Sequence, residues 1–367
     1  MACAENLVHM VDKLLSDKRV NVNKGNIDRV SPFLVACDSG NMEVVKRMMQ
    51  DERVDINSAD VCGDTPLFVA CSKGNIELCR MLLSAKGIKR DIRNKGHATP
   101  FFIACKSGKK EVVDLLMEDK EVGINSPNRE GYTPLHVADS DEIAIKIMND
   151  PRSSLEMLTR NGNSVLHCFC RTRMVSAVKH LLSLPAAPSV LNQKNDFGIT
   201  PLWLACSLKY DYGIEIVELL LEHPLIRTEF QDINGIDAFG IACKKGNIKV
   251  VESFIKHDKI CEVNISKYNP TPLWLACKYN PNTQLVKALL GINEVDVNQA
   301  SRENPGDEMI APYELVLGYP DIMDCLLESG RHLEIRPIFA RYRGSKRLED
   351  YFLSKVSSKK RTREEED

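Results

Sequence analysis

The segments SPFLVAC (31–37), TPLFVAC (65–71), TPFFIAC (99–105) and TPLHVAD (133–139) recur every 34 residues, and that period decides the fold. Looser copies follow as SVLHCFC (164–170), TPLWLAC (200–206), DAFGIAC (237–243), TPLWLAC (271–277) and APYELVL (311–317), at spacings of 31, 36, 37, 34 and 40 residues, giving nine in all. After each motif come a short turn and a second apolar pattern, as in SKGNIELCRMLLS (72–84) and KKGNIKVVESFIK (244–256).

Both halves of the repeat read as helices. Thr65 has a hydroxyl to cap the first helix, and Pro66 fits its first position, where a missing N–H costs nothing and φ is already helical. Gly74 is placed to end that helix in the left-handed conformation. Ile76, Cys79, Met81, Leu82 and Leu83 then give the second helix its buried stripe. Ala70 and Cys71 are small where first helices must approach one another, while Leu67 and Val69 fill the space between layers. Packed helices lie about 8–10 Å apart. That is too far for Cys37, Cys71 and Cys105 to reach the Cα separation of roughly 4.4–6.8 Å that a disulfide needs, so they are expected as thiols. Extended stretches such as Val54–Asn57 and Val295–Asn298, followed by glycine turns such as Asn128–Gly131, predict protruding hairpins between the helix pairs.

Two helices and a turn in about 33 residues, with T-P-L-x-x-A, resemble the ankyrin repeat. The expected fold is therefore all-α, an ankyrin-repeat solenoid of stacked helix-turn-helix units with protruding hairpins. Residues 1–24, with Leu7, Val11, Leu14 and Leu15, read as the second half of an N-terminal capping repeat; residues 25–330 form the array, and 331–367 a basic C-terminal tail or capping segment with an acidic end. The fourth motif lacks the glycine turn, and the fifth replaces Thr-Pro with Ser164-Val165, so the array is expected to be least regular, and to hinge, near 139–175.

Composition agrees with an intracellular, cytoplasmic or nuclear protein. Hydrophobic residues are 43% and charged residues 27% of the chain. No apolar run approaches the ~18 residues of a membrane span. The start MACAENLVHMVDKLL lacks the pattern of a secretory signal. Thirteen cysteines are an odd number, and seven share one phase of the repeat, which points to packing. The net charge of −2 hides an asymmetry: residues 336–363 hold ten Lys or Arg against two acids, and the last four residues are EEED.

The chain offers little to catalysis. It contains no phosphate-binding glycine loop, no HExxH and no CxxC pair. His167-Cys168-Phe169-Cys170 has ligand chemistry, but it falls at the repeat phase of His136 and Cys105. The resemblance assigns His136 and His167 a turn-bracing role. Phe68, Phe102, Trp203 and Trp274 share that phase and are expected in the core. No cofactor, metal or small-molecule substrate is implied.

Binding falls instead to positions that stacking leaves free, the hairpin tips and the exposed ends of the first helices. These are Val61, Asp64, Ser72, Lys73, Lys95, His97, Lys106, Arg129 and Tyr132, then Phe197, Leu208, Lys244, Lys245, Lys267, Tyr268, Lys278 and Tyr279. The second group mixes cations with aromatics, a composition suited to an acidic partner; a solvated lysine face is the equal alternative. Leu290–Asn298 also matches the L-x5-D-V-N pattern at which ankyrin-type asparagines are hydroxylated, and reads equally as hairpin filler.

The tail has two features of its own. Lys346-Arg347, eleven residues, and Lys359-Lys360-Arg361-Thr362-Arg363 resemble a bipartite nuclear-import signal, which an import receptor would read. Ser345, Leu348, Tyr351 and Phe352 resemble the motif with which replication proteins dock on the sliding clamp, except that Ser345 stands where a glutamine is usual. A turn packing back on the last repeat explains the same residues and is preferred. The expected function is thus a non-catalytic scaffold that binds another protein along the concave face and hairpin tips. The alternative is a nuclear factor tethered to the clamp or chromatin by its tail.

Overall fold

The computed structural model describes residues 2–208, 213–261, 270–302 and 307–331. Every element assigned among them is helical, and the one β-contact is an isolated bridge between Ser301 and Ile310. The chain divides into two compact units, Met1–Asp196 and Phe197–Asp367.

The first unit begins with α1 (Val8–Ser16). Helix pairs follow: α2 (Pro32–Asp38) with α3 (Met42–Met49), α4 (Pro66–Lys73) with α5 (Ile76–Ser84), and α6 (Pro100–Lys106) with α7 (Lys110–Glu118). A single 3-10 turn, Leu135–Val137, then precedes α8 (Asp141–Met148), and α9 (Val165–Thr172), α10 (Val175–Ser183) and the short α11 (Ala187–Leu191) complete the unit. The second unit pairs α12 (Pro201–Cys206) with α13 (Ile214–Glu222), α14 (Ala238–Lys245) with α15 (Ile248–Lys256), α16 (Pro272–Tyr279) with α17 (Thr283–Leu290), and α18 (Pro312–Leu315) with α19 (Pro320–Glu328).

Local chemistry builds each pair as its motif predicts. The Thr65 hydroxyl accepts the Phe68 N–H at 3.2 Å, and Thr99, Thr200 and Thr271 repeat the bond three residues on. Gly74 closes α4 at φ 77°, and its left-handed turn sends α5 back antiparallel. First helices then stack on first helices, α4 between α2 and α6 and α14 between α12 and α16, while second helices form the outer row. The motif cysteines Cys37, Cys71, Cys105, Cys170, Cys206, Cys243 and Cys277 are all buried in these inner rows. Cys71 lies 3.8 Å, sulfur to sulfur, from Cys79 of its own pair.

Between the pairs of the first unit, the described hairpins are tight turns with no strand. In one, Asp60 N donates to Asp64 O while the Asp60 carboxylate accepts the N–H groups of Cys62 and Asp64. Neighbouring tips are tied by one backbone bond each: Val61 N to Asp28 O at 2.9 Å, Lys95 N to Cys62 O at 2.8 Å, Arg129 N to Gly96 O at 2.8 Å.

The fourth repeat is the irregular one. Without a glycine turn after Asp139, its first helix shrinks to the 3-10 turn, and Asp139 N donates to Cys105 O of the previous repeat. The fifth is regular, because Ser164 with His167 forms a capping box that does the work of Thr-Pro. The 139–175 stretch expected to hinge therefore lies inside the first unit, and the chain divides later, at Asp196/Phe197.

One stabilising device was not visible in the sequence. Arg53, held by Asp51, donates to the carbonyls of Leu15 at 2.7 Å and Val20 at 3.4 Å in the preceding repeat. Arg152, held by Asp150, does the same toward Met117 and Val122, and Arg331 toward Leu290 and Ile292. Each guanidinium thus satisfies carbonyls that the end of an outer helix leaves open.

Candidate functional site

The aromatic motif positions divide. Phe68, Phe102 and Trp274 are buried as expected, but Trp203 is half-buried and donates Nε1 to Ile236 O at 3.0 Å, bracing the next hairpin. His136 and His167 are buried, and each bonds its own cap through Nδ1, to the Thr133 hydroxyl at 2.8 Å and the Ser164 hydroxyl at 2.9 Å. Burial pushes His136 down to about 4.

Several surface candidates of the first unit are already engaged. Lys73 is exposed, but its ammonium lies 2.6 Å from the Asp38 carboxylate of the preceding repeat, so its charge is largely answered within the fold. Asp64 accepts Asn94 Nδ2 at 2.9 Å and holds the next hairpin in place. Tyr132 is half-buried: it packs against the cluster of Phe68, Ala98 and Phe102 and meets His136 edge-on at 6.1 Å. Lys106 and Arg129 are exposed, at the end of α6 and at a hairpin tip.

The second unit brings its candidates together. Lys244 and Lys278 each follow a motif cysteine by one residue, on the stacked helices α14 and α16. The Lys244 ammonium sits 4.3 Å from the centre of the Tyr279 ring, and Lys278 lies 4.6 Å from the Trp274 ring and 5.4 Å from Tyr279. Asn280 Nδ2 fixes the end of α14 by donating to Lys244 O at 2.6 Å. Lys245 is exposed beside them, and Phe197 is exposed on the hairpin that opens the unit. The result is two cations stacked on aromatic faces with a third adjacent, chemistry that attracts carboxylates and apolar groups alike. Lys267 and Tyr268 lie outside the described residues, as do the import-like and clamp-like residues of the tail.

One cluster among the described residues has metal-ligand chemistry: Glu218, Glu222 and His257, with ligand atoms within 4.8 Å of one another. Glu218 is already taken, however. It accepts from the Ser253 hydroxyl, from His257 Nε2 at 2.8 Å and from Lys256 at 3.2 Å, and these bonds hold its carboxyl down at about 2. An ammonium inside the cluster opposes a cation, so the group reads as a tie between α13 and α15.

This architecture agrees with what sequence comparison finds. A family model described as "Ankyrin repeats (3 copies)" matches residues 1–95, 87–150 and 211–301, more than half of the chain. The chain belongs to the ankyrin-repeat family. SH3 and multiple ankyrin repeat domains protein 2 of Homo sapiens is 30% identical over 146 residues, which is 40% of this chain and 7% of that protein. Ankyrin repeats are in general protein–protein interaction modules, and members of the family are typically non-enzymatic. Among the described residues no helix is long and apolar enough to cross a membrane.

Proposed function

We propose that this ankyrin-repeat protein is a non-catalytic adaptor that holds a protein partner through its second unit, at Lys244, Lys245, Lys278 and Tyr279. The stacking of Lys244 on Tyr279 at 4.3 Å carries the reading. Lys244 and Lys278 stand on neighbouring inner-helix ends, each held against an aromatic ring, so that cations and rings lie together on one surface. A partner segment carrying carboxylates beside an apolar residue fits that surface. The hairpin tips extend the same reading, with Phe197 offering an apolar contact.

The test is a pull-down from cell extract with the full chain and a Lys244→Ala, Lys278→Ala, Tyr279→Ala variant side by side, read by mass spectrometry. Partners captured by the wild type and lost from the variant support the assignment. Identical capture places the binding surface elsewhere.

A further inference from the structure

The stretch that leads into each hairpin of the first unit has one position whose side chain ties neighbouring repeats together. Asn23 donates Nδ2 to Arg53 O at 2.6 Å and accepts Asp55 N at 2.8 Å. Asn57 joins Gly87 O at 3.0 Å and Lys89 N at 2.9 Å, and Asn125 joins Arg152 O at 2.6 Å and Ser154 N at 3.0 Å. Each amide thus uses one donor and one acceptor on the equivalent stretch of the next repeat.

In the third repeat Asp91 occupies this position. Its Oδ2 accepts Gly123 N at 3.0 Å, 32 residues ahead, the same offset as from Asn23 to Asp55 and from Asn57 to Lys89, so the accepting half of the tie is intact. Its Oδ1 is buried and has no partner among the described residues. The register sets that oxygen toward the carbonyl of Glu121, 30 residues ahead, where Asn23 and Asn57 present an amide nitrogen to Arg53 and Gly87. Two groups that only accept repel each other there, and a buried acceptor left alone is costly. A proton on Oδ1 removes both penalties, because a carboxylic acid, like an amide, offers one donor beside one acceptor.

We propose that Asp91 keeps its proton in the folded chain and donates it to the Glu121 carbonyl, so that the tie between the third and fourth repeats is one that rising pH breaks. The charged groups facing it are Arg90 and Arg93 of its own stretch and Asp119 of the next. Arg90 is itself answered by Asp119 and Glu121, and Arg152 reaches the same stretch at the carbonyls of Asp119 and Val122. Burial outweighs the Gly123 bond and the two arginines, and it holds the Asp91 carboxyl above its ordinary range. Since the folded value is the higher one, the tie is complete below about pH 4, weakens as pH rises and is lost once the folded carboxyl ionises. The fourth repeat is the one whose first helix is reduced to a 3-10 turn, so the proton-dependent tie holds the shortest inner element of the first unit.

A carbon-13 NMR titration of the Asp91 carboxyl in the full chain reads the proton directly, and its midpoint is expected above the ordinary carboxylate value of about 4. Asp91→Asn supplies the missing donor at every pH. Its melting temperature should differ least from that of wild type near pH 4, and its advantage should grow with pH until the wild-type carboxyl has ionised. Comparing the two proteins at the same pH cancels the other titrating groups. Hydrogen exchange at the Gly123 N–H, compared in the same way at pH 7.5, should be about tenfold slower in the variant. A midpoint at or below about 4 overturns the proposal, as does a melting difference that stays constant with pH. Either result is what a water molecule satisfying an ionised Oδ1 would give.

Discussion

The Arg152 guanidinium donates Nη2 to the carbonyl of Met117, 3.1 Å away and 35 residues earlier in the chain. Asp150 holds the fork from the other side, through Nε at 3.0 Å and Nη2 at 2.8 Å, so one arginine joins a helix end to the repeat that follows. Arg152→Leu should cost the first unit about 1–3 kcal/mol, because the carbonyls of Met117 and Val122 lose a charged donor. Arg152→Lys should recover little of that, since an ammonium cannot serve both carbonyls and Asp150 in one plane. Thermal melts of the three proteins check both statements; a lysine variant as stable as wild type would refute the bidentate role.

Acid should weaken the first unit. His136 is held near 4 by burial, and its Nδ1 must stay unprotonated to accept the Thr133 N–H at 3.2 Å. The unfolded chain takes up that proton near pH 6.5 and the folded chain only near 4, so stability falls as pH drops through that window, by roughly 3 kcal/mol at its lower end. An NMR titration of the His136 ring gives the folded value directly, and His136→Asn should flatten the pH profile of unfolding.

The second unit should respond in the opposite sense at Asp237. This carboxylate caps α14 in place of the usual threonine, accepting the Gly240 N–H at 2.7 Å, and burial raises it to about 6. Here the folded chain keeps its proton longer than the unfolded one, so Asp237 subtracts stability as pH rises from about 4 to 6. Asp237→Thr should raise the melting temperature of the second unit at pH 7.5, by an amount equivalent to about 1–3 kcal/mol, and change it little at pH 4. Denaturation of both proteins at the two pH values decides it.

Thiol labelling should divide the cysteines by burial. Cys62 is exposed at a hairpin tip, whereas burial raises Cys71, Cys105 and Cys243 far above the usual thiol range. Under native conditions Cys62 should react with an aromatic disulfide reagent within seconds, and those three only at the rate of unfolding. Mass spectrometry of the labelled peptides would expose any early reaction at Cys71.

Much of the fold was legible because its signals are local. Thr65, Pro66 and Gly74 act within one helix, and the smallness of Cys71 reports on a neighbour that recurs in every layer. The candidate surface was only half legible. Lys73 and Lys244 share an inner-helix end and a residue type, yet one is paired with Asp38 and the other stacks on Tyr279, each partner lying 35 residues away. Tyr132 reads as a hairpin-tip residue in the sequence, and its packing against the Phe68, Ala98 and Phe102 cluster depends on neighbours one and two repeats earlier.

The sequence by itself determined the repeat, its helix boundaries and the residues that line each layer, because capping and a 34-residue apolar period are properties of adjacent positions. Only the tertiary structure decided which cations pair with acids and which stack on rings, and which arginines cap a neighbour's helix. Those depend on side chains that meet across layers, where the outcome is set by the charge and shape of a residue a full repeat away.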